Sequence, residues 1–164
     1  MNAPAHCGNP IFRSRPTLVH TTAGAALPST GELLCAMSGQ QVRGHVCQWS
    51  RDLVRLHRIR RERPQSTAVI DCLRIELVAN INAWAFEHLP GRSADLLDTK
   101  LGDTIDRIAA TADRAFHLLM TEELSGEHMR VAWTRLAELA IAYGDLVRQA
   151  ESGRWCLSPH TRRR

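Results

Sequence analysis

Arg74 lies between Ile70 and Leu77 on the apolar side of a helical pattern, where a guanidinium has to meet a carboxylate or a bound anion. Three acids on the helical patterns further along, Asp103, Asp106 and Glu138, are its candidate partners. Two chemistries fit: a buried structural ion pair, or an anion pocket built around Arg74. A second pair, Asp113 and His117, is spaced i, i+4 and shares one helix face, the spacing of a two-donor metal site and equally of a solvated surface pair. No Glu-x-x-His occurs, which removes the donor set of an embedded dinuclear metal bundle. Nor is there a phosphate-loop pattern, a dinucleotide fingerprint or a nucleophile elbow. Gly102 in Leu101-Gly102-Asp103-Thr104 sits inside a helical pattern and reads as a close-packing position. These residues point to no catalytic set, no metal and no cofactor.

The formal charge of +4 over 164 residues is unevenly spread. Between residues 43 and 63, seven arginines face only Asp52 and Glu62; from 64 to 149, thirteen acids outnumber eight cations; the chain closes on Arg162-Arg163-Arg164. Arg51, Arg55, Arg58 and Arg61 form a candidate basic surface, able to attract polyanion phosphates without reading sequence. Acids and apolar anchors interleave with these arginines, however, and no helix-turn-helix spacing follows, so nucleic-acid binding is expected to be weak. Cys7, Cys35, Cys47, Cys72 and Cys156 make an odd set without C-x-x-C, which favours free thiols and a reducing, cytoplasmic compartment. Cys35, Cys47 and Cys72 fall in helical patterns, where a thiol is commonly a small buried hydrophobe. No uncharged run approaches the ~20 residues of a membrane span.

The elements that must position these groups are all helices. Residues 1–27 hold three prolines, with Pro28 next to them, show no periodicity and read as a disordered segment. Ser29-Thr30-Gly31-Glu32 has capping-box spacing and opens a short helix that Gly39 ends. A second helix runs from about His45 to Arg63, stopped by Pro64, with Val46, Trp49, Leu53 and Leu56 inward and Arg51, Arg55, Arg58 and Glu62 in water. A third spans Thr67 to Leu89. Ile70, Leu73, Leu77, Ile81 and Trp84 form one apolar stripe, and Ile75, Val78, Ala79 and Phe86 a second beside it, the mark of a helix enclosed by others. A fourth begins near Ser93 and carries Leu101, Ile105, Ile108, Ala112 and Phe116. A fifth carries Met129, Trp133, Leu136, Leu139, Tyr143 and Val147 and fades by Gly153. Trp84 and Trp133, each on a main stripe, are expected in the core. The expected architecture is all-α: an up-down bundle of four long helices with a short N-terminal helix, one domain over 28–150, and a basic flexible tail from 151 to 164.

The run Ile70-Asp71-x-x-Arg74-x-x-Leu77-Val78-x-x-Ile81-x-x-Trp84, closed by Leu89-Pro90, resembles the hallmark of a small bacterial helical family, domain of unknown function 4254. So do Leu101-Gly102-x-x-Ile105-Asp106-Arg107-Ile108-Ala109 and Trp133-x-x-Leu136-Ala137-Glu138-Leu139-Ala140-x-x-Tyr143-x-Asp145-Leu146, together with the Leu27-Pro28-Ser29 start and Gly44-His45. The resemblance covers about residues 27–149 and implies a helical fold without assigning a reaction or ligand. The chain departs from it at Asp98-Thr99, where a His-Thr pair is expected ahead of the glycine.

The expected function is a non-enzymatic module that binds an unidentified protein partner or assembles as a homo-oligomer. The alternative is a small helical enzyme holding an anionic metabolite through Arg74, as chorismate mutase does by fold-level analogy alone. A further alternative is weak nonspecific nucleic-acid binding through the basic helix and tail. Complete pairing of Arg74 favours the module; a buried arginine cluster without acids favours the enzyme.

Overall fold

The structure, a computed structural model, describes residues 26–89, 100–121 and 126–155, with side chains up to 152. The terminal segments 1–25 and 156–164 and the expected cap at Ser93 lie outside the described residues. Within them the protein is all-helical. The helices are α1 (Thr30–Met37), α2 (His45–Glu62), α3 (Thr67–His88), α4 (Leu101–Met120) and α5 (Gly126–Trp155).

Local chemistry explains most boundaries. Ser29 accepts the Glu32 backbone N–H while the Glu32 carboxylate accepts the Ser29 N–H, closing a capping box at the start of α1. Gly39 takes φ +96°, which a β-carbon disfavours, and the chain turns out of the helix there. Arg63 ends α2, and a single 3-10 turn over Pro64–Ser66 reverses the chain into α3. α5 continues past the expected domain edge at 150 to Trp155, and Leu27, placed in the disordered segment by composition, is buried with the core.

The central element is α4. Leu101, Ile105, Ile108, Ala109, Ala112 and Ala115 are fully enclosed, and α2, α3 and α5 all pack on this helix. α1 sits on α2 and on α5. The registers follow from cross-links: Arg60 meets Asp71, whereas His57, three residues earlier, meets the Asp106 that holds Arg74, so α2 and α3 run antiparallel. The α2–α4 links rise together, from His57–Asp106 to Arg61–Asp113, so these two helices are parallel.

The expectation that α3 is enclosed is corrected. Only Ile70, Ile81 and Ala85 of that helix are buried, while Val69, Ile75 and Phe86 are 58%, 69% and 61% exposed. Two apolar stripes state that a helix has two faces wanting cover, and among the described residues α2 and α4 cover one. For the same reason Cys72 is exposed, while Cys47 is buried and Cys35 half-buried. Trp84 is half-buried against His88, and Trp133 remains 39% exposed, meeting Phe116 edge-on at a centroid distance of 6.2 Å. Trp133 is therefore a rim contact of the α4–α5 pair and not a core residue. Tyr143 takes the enclosed place on α5, and its hydroxyl donates to the Pro28 carbonyl at 2.7 Å.

Candidate functional site

The cross-helix ion pairs gather along one seam, where α2 and α3 meet α4. α4 contributes Asp106 and Asp113, seven residues apart and hence two turns up the same face. Each is largely buried, with 16% and 6% of its side chain exposed, so each carboxylate must be paired. α2 supplies His57 and Arg61, one turn apart, the longer reach of Arg61 making up the difference to Asp113.

At the lower level Asp106 accepts from Arg74 Nε at 3.2 Å and Nη2 at 2.5 Å, a two-pronged pair, and lies 2.8 Å from His57 Nε2. Arg74 Nη1 donates to Asp71 at 2.8 Å, and Asp71 also accepts from Arg60 Nε at 3.0 Å. Burial pushes the Asp106 carboxyl up, but the hydrogen bonds from His57 and Arg74 outweigh it and leave the group below its ordinary value. Asp71 is held below its ordinary value chiefly by Arg60, then by Arg74. The Arg74 guanidinium is pushed up, above all by Asp106. It is a closed network of two arginines, one imidazole and two carboxylates.

At the upper level Arg61 places Nε and Nη2 on the two oxygens of Asp113, at 3.1 and 3.2 Å, and its Nη1 donates to His117 Nδ1 at 3.2 Å. A guanidinium thus occupies the place between Asp113 and His117 where the i, i+4 spacing suggested a cation. Arg58 approaches Asp113 at 3.7 Å. Beside this level an open cleft between α2 and α4 is lined by His57, Arg60, Arg61 and Arg114, by Asp113 and His117 in their contacts with Arg61, and by Ala110 and Leu118.

Of the acids considered for Arg74, the structure brings Asp106 to it and leaves two aside. Asp103 is exposed one turn away and lines a separate shallow cleft with Lys100, Thr104 and Arg107. Glu138 is exposed and pairs with Arg135 at 2.8 Å on its own helix, and α5 packs chiefly on α4. The four arginines of the expected basic surface, Arg51, Arg55, Arg58 and Arg61, are all exposed. Two of them, Arg58 and Arg61, also reach Asp113, because a buried carboxylate draws the nearest long cation. Sequence reasoning missed Asp71 and His57. Asp71 had a signal, its i, i+3 spacing to Arg74; His57 becomes visible only once α2 and α3 are folded against each other in register.

Comparison with protein-family models, with curated proteins and with solved structures finds no match for this chain.

Proposed function

We propose that this chain is a non-enzymatic helical module that assembles with itself through the outer face of α3. The observation that carries the reading is the exposed row Val69, Cys72, Ile75, Ala79, Ala83 and Phe86, which follows helical steps and is apolar throughout. Its order suits a two-fold partner. In an antiparallel pair centred on Ala79, Phe86 falls over Cys72 of the other copy and Ile75 over its Ala83, large against small, as an isologous interface requires.

The pairing of Arg74 with Asp71 and Asp106 supports the module over the enzyme alternative. The kinship with domain of unknown function 4254 stays part of this proposal and is carried by the helix-packing motifs of the sequence.

Sedimentation equilibrium of the full chain tests the reading. A concentration-dependent dimer is expected, and Ile75→Glu should give a monomer with unchanged helicity, because a buried unpaired charge at each of two symmetric positions opposes association. A chain that stays monomeric at every concentration, or a dimer indifferent to Ile75→Glu, overturns it.

A further inference from the structure

The α2–α4 cleft keeps a charge that its ion pairs do not remove. Across the lining and the whole ion-pair network connected to it, which reaches Arg74 through Asp71 and Asp106, Arg58, Arg60, Arg61, Arg74 and Arg114 stand against Asp71, Asp106 and Asp113, leaving two positive charges with the histidines left out of the count. Arg114 makes no ion pair among the described residues and is exposed at the cleft wall. Arg60 and Arg61 are anchored by Asp71 and Asp113, which fixes where their guanidinium groups sit before any ligand arrives.

We infer that this cleft binds the phosphate group of a small phosphorylated ligand, with Arg114 as the closing contact. A phosphate monoester carries about −1.5 to −2 near neutral pH and offers three acceptor oxygens, which matches both the residual charge and the planar donors. A carboxylate would neutralise only half of that charge. Ala110 and Leu118 offer an apolar shelf for the organic part of the ligand. This site is separate from the outer face of α3, so it stands whether or not the chain self-associates.

The test is a calorimetric titration of the full chain with phenyl phosphate, with benzoate as the carboxylate control. Saturable one-site binding of phenyl phosphate is expected, weaker by at least about tenfold in Arg114→Met, the loss expected for one charge-assisted contact. Arg114 is exposed, so its removal should leave helicity and melting unchanged, and Arg114→Gln provides a second check on folding. The double variant Arg51→Met/Arg55→Met, basic but outside the cleft, should bind as the parent does. Absence of saturation, equal binding of benzoate, or indifference to Arg114→Met overturns the proposal. So does a short DNA duplex that displaces phenyl phosphate at lower phosphate concentration, which would make the cleft a contact for a nucleic-acid backbone.

Discussion

Asn82 on α3 accepts the backbone N–H of Gly102 on α4 at 2.8 Å, so one helix caps the next from the side. The first N–H groups of a helix have no partner within it, and Lys100 at the N-cap of α4 supplies no side-chain bond. The contact is possible because position 102 has no side chain: a β-carbon there would lie 2.7 Å from the Val78 carbonyl oxygen and 2.7 Å from Asn82 Oδ1.

Gly102→Ala should therefore destabilise the protein although alanine favours helix by about 1 kcal/mol over glycine. The Val78 oxygen is backbone and cannot step aside, so overpacking should dominate, with a net loss of about 1–3 kcal/mol in urea unfolding. A midpoint equal to or above that of the parent would show that α3 and α4 separate at little cost.

Arg61→Met leaves the buried Asp113 with Arg58 alone, at 3.7 Å. Arg61 is one-third exposed, and Arg58 is free to move in, so the expected loss is about 1–3 kcal/mol, that of an under-satisfied polar group. Adding Arg58→Met strands the carboxylate and should raise the loss to about 3–5 kcal/mol. Equal losses in the single and double variants would show that Arg58 does nothing for Asp113.

The pH dependence of stability should carry two opposed carboxylates. Asp106 has its folded pKa lowered from 3.8, so its contribution is full above 3.8 and is lost as pH falls through the lower folded value. Melting temperature should fall on acidification below about pH 4, and less steeply in Asp106→Asn, whose neutral baseline is itself lower. Asp52 is the reverse: burial raises its folded pKa above 3.8 against the pull of Arg51 and Arg55, so its ionisation costs stability as pH rises through that value. Asp52→Asn should raise the melting temperature at pH 7, and the gain should disappear below 3.8. A gain that persists at low pH would assign the effect to something other than charge.

The sequence by itself determined that the protein is helical, where α1 is capped, where Pro64 breaks the chain, and that Gly102 serves a close approach. These are local matters: periodicity, caps and breakers act within a few residues, and each residue type has a narrow repertoire there. It also showed that Arg74 needs a carboxylate or a bound anion, since the position of a cation is legible from the stripe it sits on. What only the tertiary structure decided was which acid, which helix is central and which apolar stripe goes uncovered. Asp106 and Glu138 look alike along the chain, yet one faces α3 and the other faces solvent, because α4 packs on α3 while α5 packs chiefly on α4. The stripe of Ile75 and Phe86 looks no less apolar than that of Ile70 and Ile81, yet among the described residues only the second is covered. Periodicity reports which side of a helix seeks cover; what covers it is set by helix–helix packing between residues far apart in sequence, and that information is not local.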